Sequence, residues 1–174
     1  MREAPGFIFA LREDLKEDKR FLPERAEPLA TGYDCRAAQQ DRKDIVVSPG
    51  EMVKIPLGFR AFCPPGWWYL LHPRSSFFVK KNMHTLTGII DEAFPLETCL
   101  VAQYLPDTKG VTQNLVIKFG DAIGQIIPVR REDMYRIEVS NEDMDKLYAN
   151  RGAIRTGGIG STDKMGFYKT GGNR

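Results

Sequence analysis

Residues 45–71 read IVVSPGEMVKIPLGFRAFCPPGWWYLL, and this stretch decides the fold. Four short runs, 45–48, 52–57, 59–63 and 67–71, are rich in β-branched and aromatic residues. Pro49-Gly50, Gly58 and Pro64-Pro65-Gly66 separate them, and those residue types end strands and make turns. The same texture continues outward. Runs at 85–90, 99–105, 114–119, 123–129 and 135–139 read as further strands, and Phe7, Ile8 and Phe9 as a first one. Strands every ~8–12 residues with turn signals between them predict an all-β chain, a sandwich or jelly roll rather than βαβ units. One helix is expected at 141–149, where Ser140 or Asn141 can cap it and Glu142, Asp143 and Asp145 suit its first turns. The charged segment before residue 27 reads as a solvated turn or short helix.

Composition narrows the function. The chain has 174 residues, 42% apolar and 28% charged, enough for one domain with a buried core. Twenty-five basic against 23 acidic residues give a net charge of +2, which argues against bulk-charge binding to nucleic acid or membrane. No apolar run approaches the ~20 residues of a membrane helix, and the mixed charges at the N-terminus do not resemble a signal peptide. A cytoplasmic location, or host cytoplasm or nucleus for a viral protein, is the expectation. Cys35, Cys63 and Cys99 are odd in number and lack C-x-x-C spacing, so they read as buried or half-buried thiols rather than a disulfide framework or zinc site. The final 23 residues contain seven glycines and bury too little to fold alone. They read either as a disordered tail or as a tail that orders on a ligand.

Several polar positions interrupt the apolar runs. Asp34 follows Thr31-Gly32-Tyr33 at a turn into a strand. Arg74, Ser75 and Ser76 follow WWYLL and offer a guanidinium, two hydroxyls and backbone amides to an anion, or the start of a short helix through FFVKK. Asp91 ends the run Gly88-Ile89-Ile90, where a carboxylate is costly to bury unless paired or functional. Gln125 stands in the strand after Gly120-Asp121-Ala122-Ile123-Gly124. Gly157-Gly158-Ile159-Gly160-Ser161-Thr162 offers consecutive amides and hydroxyls suited to phosphate.

In order and spacing, ATGYDCRAA, PRSS, TGIID, GDAIGQIIPV and GGIGST resemble the five motifs of the trimeric dUTPases over about residues 23–163. The resemblance implies a jelly-roll-like distorted β-barrel over 1–150 and a flexible Gly-rich arm over 151–174 that closes over the site. It implies hydrolysis of dUTP to dUMP and pyrophosphate with Mg²⁺, in sites built jointly by the three subunits of a homotrimer. Asp34 then helps hold Mg²⁺ through water with the triphosphate, and Asp91 activates the attacking water. Arg74, Ser75, Ser76 and Gln125 contact phosphates. Thr87, Gly88 and Ile90 belong to the hairpin that reads uracil, where Thr85 and Thr87 can add side-chain hydrogen bonds. Phe94 falls where the family has a Tyr that packs on deoxyribose. Arg155, or Arg151, stands in for the arm arginine, and Gly158, Ile159, Gly160, Ser161 and Thr162 form the closing arm. Ile159 replaces a stacking Phe, which points to relaxed base selectivity. Two alternatives stay open: the same hydrolysis on dTTP or dCTP, and a non-catalytic nucleotide sensor on this fold. The dCTP deaminases share the fold, but their general-base Glu falls near Val101, between Leu100 and Ala102.

Overall fold

In the computed structural model, residues 6–105 and 113–151 are described. Their strands are β1 (Ile8–Leu11), β2 (Tyr33–Arg36), β3 (Ile45–Val47), β4 (Met52–Pro56), β5 (Phe59–Phe62), β6 (Trp67–Pro73), β7 (Met83–Thr85), β8 (Gly88–Ile90), β9 (Cys99–Tyr104), β10 (Leu115–Ile117) and β11 (Ala122–Arg130). The helices are α1 (Ser75–Val79) and α2 (Asn141–Ala149), with three short 3-10 turns before β3. The chain divides into two units, residues 1–132 and 133–174.

In the first unit every pairing between strands is antiparallel, as the turn-separated runs predict. The ladders form four small sheets: β1-β5, β10-β3, β2-β11-β6-β8 and β4-β9-β7. The jelly-roll-like layering stands, but the expected barrel is not closed by hydrogen bonds. Most strands are only three to five residues long. Pro56, Gly58 and Pro64-Pro65-Gly66 break the ladder before it can continue into the next sheet. Gly58 sits at φ +77°, where a side chain would also strike Leu15 and Ala38, so the turn between β4 and β5 needs glycine.

The core lies between the sheets, with Ile55, Leu57, Phe59, Tyr69, Leu100 and Ile117 almost fully buried. Tyr69 Oη and Thr98 Oγ1 share a hydrogen bond of 2.6 Å inside it, which satisfies two buried hydroxyls at once.

Two expectations change. The run 85–90 is not one strand. β7 belongs to the β4-β9-β7 sheet and β8 to the central sheet, so the chain switches sheets at Leu86-Thr87. Residues 135–139 form no strand, and Tyr135 is 94% exposed; β-propensity is expressed only where a neighbouring strand supplies the ladder. The short helix that the sequence allows through FFVKK forms as α1, which starts immediately after Arg74 and buries Phe77. In the second unit α2 matches its expected span, and Ser140 Oγ accepts from Asp143 N at 3.1 Å. No helix of the described residues is long and apolar enough to cross a membrane.

Candidate active site

Strand register brings two of the predicted residues, Asp34 and Gln125, together with His72 on the central sheet. Gln125 of β11 lies opposite Asp34 of β2 on one side and opposite His72 of β6 on the other. Directly opposed residues of antiparallel strands carry their side chains to the same face. Ile126, Leu71 and Tyr69 occupy the core face, so Asp34, Gln125 and His72 form a row on the outer face. The register of β11 shifts between Ala122 and Gly124, a bulge of the kind that re-aims the residues after it.

Each member is held by backbone. Asp34 N donates to Glu24 O at 2.7 Å, and Glu24 N donates back to Asp34 O at 3.3 Å. Arg74 N donates to Ile123 O at 3.0 Å, and Arg74 O accepts from Phe77 N at 2.9 Å at the start of α1. That fixes the root of the arginine between β11 and the helix. Its Nε lies 3.4 Å from Asp34 Oδ1, with side chains 37% and 23% exposed. An ion pair so open to solvent is worth at most ~1 kcal/mol, so it orients the two groups more than it stabilises the fold. Gln125 Nε2 donates to Pro73 O at 3.3 Å. Gly32 admits the Gln125 side chain, because a Cβ there would collide with Gln125 Oε1. Ser75 is exposed and Ser76 half-buried at the head of α1. Asp121, from the same sequence motif as Gln125, is structural: it accepts from Lys81 Nζ at 2.6 Å and from Lys118 N at 3.1 Å.

Asp91 stands apart from this row. β8 pairs with β6 so that Gly88 faces Leu71 and Ile90 faces Tyr69. Continued by one residue, that register sets Asp91 opposite Trp68, four positions from His72 and roughly 13 Å along the strand. Asp91 is exposed at the wall of a cleft of about 330 Å³ with Trp67, Trp68, Ile89, Glu92 and Arg131. A tight turn follows, Phe94 N donating to Asp91 O at 3.1 Å, and Phe94 is half-buried. Glu92 clamps that turn by accepting from Gly66 N at 3.0 Å and Arg131 Nη1 at 2.8 Å. Between row and cleft, the outer face is apolar, formed by Leu70, Ile127, Trp68, Val129 and Ile89, the last 65% exposed.

Thr87 is exposed, and Gly88 and Ile90 are half-buried at the start of β8. Thr85, at the end of β7, is 8% exposed, and its Oγ1 has no hydrogen-bond partner among the described residues. Arg155, Gly158, Ile159, Gly160, Ser161 and Thr162 lie outside the described residues. His72 and the paired tryptophans are additions that no motif announced. The His72 signal is register, which becomes readable only once β6 and β11 are paired.

A second cavity, of about 690 Å³, is larger than the cleft at Asp91 and holds none of the predicted residues. Its walls are mainly apolar, with Phe7, Phe9, Leu29 and Pro128, and its Arg25 guanidinium stacks 4.7 Å from the Tyr33 ring centre. Size alone therefore does not mark the site. Cys35 and Cys63 are buried free thiols, and burial pushes both thiols up, Cys35 most, as inert small hydrophobes require. No group of three or more metal-ligating side chains exists among the described residues. The oxygen donor of Asp34 beside the Arg74 guanidinium fits a hard cation carried by phosphates and held through water, not an all-protein cage.

The sequence matches the dUTPase family model over residues 18–161. The deoxyuridine 5'-triphosphate nucleotidohydrolase of Caulobacter vibrioides is 30% identical over 143 residues, covering 81% of this chain and 84% of its own. That of Bartonella quintana is also 30% identical, over 145 residues, covering 81% and 76%. The crystal structure of Streptococcus mutans dUTPase superposes with a TM-score of 0.62 at 24% identity, covering 74% of this chain and 98% of that one. A dUTPase mutant from the Staphylococcus aureus phage phi11, described with a coordinated structural Mg(II) ion, gives 0.63 at 19% identity, covering 78% and 99%. At these identities both structures speak for the fold.

Proposed function

The chain belongs to the dUTPase family, and from that premise we propose that it hydrolyses dUTP to dUMP and pyrophosphate with Mg²⁺ as a homotrimer. Water attacks the α-phosphorus, the bond from that phosphorus to the α–β bridging oxygen breaks, and pyrophosphate leaves. Asp91 accepts the proton of the attacking water. Arg74, Ser75, Ser76 and Gln125 bind the triphosphate, and Asp34 holds Mg²⁺ through water. The ion supplies charge neutralisation on the phosphates when bound. Phe94 presents its ring to the deoxyribose. Residues 151–174, with Arg155 and the segment Gly158, Ile159, Gly160, Ser161 and Thr162, form the arm that closes over the nucleotide.

The observation that carries this reading is the convergence of Asp34, Gln125 and Arg74 on one sheet face, in a chain whose family match spans 18–161. The trimer is supported by two features of the same face. Asp91 sits four positions from the polar row, too far to share one α-phosphate with it in a single chain. The apolar strip between them offers a surface for another copy to cover. The relatives are named for dUTP, so the dTTP, dCTP and sensor alternatives are not favoured. A pyrophosphate-release assay across the deoxynucleoside triphosphates with Mg²⁺ tests the activity. dUTP is expected to turn over fastest; a chain that releases pyrophosphate from none of them, or prefers another base, overturns the proposal.

Two milder substitutions test the pocket. Thr85 Oγ1 is a buried hydroxyl without a hydrogen-bond partner among the described residues, and its part in reading the base depends on the nucleotide reaching it. Thr85→Val removes it at nearly constant volume. The melting temperature is expected to hold or rise, since an unpaired buried hydroxyl is itself costly, while KM for dUTP rises about 2–10-fold. An unchanged KM would remove Thr85 from base recognition. Gly32→Ala pushes on the far end of the flexible Gln125 side chain. Its stability cost is expected to stay below about 1 kcal/mol, with a several-fold loss of dUTP affinity. A large drop in melting temperature with affinity intact would show that Gly32 serves the fold instead.

A further inference from the structure

We propose that His72 is a triphosphate-binding residue of this chain, an addition to the phosphate contacts supplied by Arg74 and Gln125. The inference rests on the hydrolase reading of the same site, and its evidence is separate. His72 is the third member of the outer-face row, one strand from Gln125 and two strands from Asp34. It comes two residues before Arg74, whose guanidinium reaches back to Asp34. A phosphate drawn to Arg74 and Gln125 therefore lies within reach of the imidazole from the adjacent strand, since opposed Cα atoms are only ~5 Å apart.

The other uses of a histidine there are weak. Its side chain has no hydrogen-bond or ion-pair partner among the described residues, unlike Arg12, Gln39 or Asn82, which are tied to backbone. It faces away from the core formed by Leu71 and Ile126. It is half-buried on the outer face of the sheet. An imidazole presents at least one N–H donor in either protonation state. A donor on the same face as Arg74 matches the anionic oxygens of a triphosphate and not an uncharged base.

The experiment compares the intact chain with His72→Ala, His72→Asn and His72→Gln. Binding is read with dUpNHpp, the non-hydrolysable triphosphate, and with dUMP; turnover is read with dUTP and Mg²⁺. Hydrogen bonds to charged groups are worth about tenfold or more in affinity. His72→Ala is expected to weaken dUpNHpp binding and raise KM for dUTP by about tenfold, with kcat within about twofold and dUMP binding little changed. Asn or Gln, each keeping an N–H near one ring nitrogen, is expected to recover part of the loss. The proposal is overturned if dUpNHpp affinity is unchanged in the Ala variant. It is equally overturned if dUMP and dUpNHpp lose affinity alike, or if neither amide recovers any of it, since the residue then acts through the fold. Weakened dUpNHpp binding in a chain that never hydrolyses dUTP would instead keep His72 in its role and remove the hydrolase reading.

Discussion

Asp91→Asn is expected to lower dUTP turnover by about 10²–10⁴-fold, the span set by loss of a positioned general base, while dUpNHpp still binds. The substitution removes proton-accepting capacity and little else. The Asp91 side chain is exposed and makes no hydrogen bond among the described residues. The contact that shapes the turn uses its backbone carbonyl, which accepts from Phe94 N and survives the change. Exposed substitutions of this kind shift stability by no more than about 0.5 kcal/mol, so the melting temperature serves as the control. Binding can be followed without a label. Trp67 and Trp68, the only tryptophans of the chain, line the cleft that contains Asp91, so a nucleotide entering it alters intrinsic fluorescence. A variant that turned over near the unaltered rate would dismiss Asp91 as the base. A variant that lost the fluorescence response with its activity would make Asp91 a binding group instead.

The strands were legible in the sequence because their signal is local. The runs between residues 45 and 129 are short and rich in β-branched and aromatic side chains, and most are bounded by proline, glycine, asparagine or aspartate. The failures come where the outcome depends on a neighbour. The run 85–90 is mostly β-branched and reads as one strand, and composition cannot announce that Thr85 pairs with Ala102 while Gly88 pairs with Leu71 in another sheet. Residues 135–139 carry the same composition as true strands but have no ladder partner. The site divides the same way. Asp34, Arg74, Asp91 and Gln125 stand out as polar residues beside apolar runs, and motif order links them to one family. That Gln125 is seated against Gly32, that Thr85 Oγ1 lacks a partner and that His72 completes the row are facts of register and packing. No spacing in the sequence encodes them.

Register also yields the most demanding expectation, that two inactive variants restore one another. Arg74→Ala removes a charged phosphate donor, a loss of about 10²–10³-fold by analogy with deleting a transition-state donor, and Asp91→Asn removes the base. If one chain supplied both residues to each site, every site in a mixed trimer would keep one lesion and mixing would recover nothing. The central sheet points the other way. Its register sets Asp91 roughly 13 Å along β6 from the row that contains His72 and Gln125, with Leu70, Ile127 and Ile89 between them. A site completed by a second copy then takes Arg74 from one subunit and Asp91 from another. In randomly assembled mixed trimers, half of the arginine donors carry Arg74 and half of the carboxylate donors carry Asp91, so roughly a quarter of the sites are intact. Co-expressing or co-refolding equal amounts of the two variants is expected to return roughly a quarter of the unaltered dUTPase activity, with each variant alone near background. Light scattering on the same samples reads the assembly. A trimer that shows no recovery would place both residues in one chain's site, and a monomer as active as the unaltered protein would end the shared-site reading altogether.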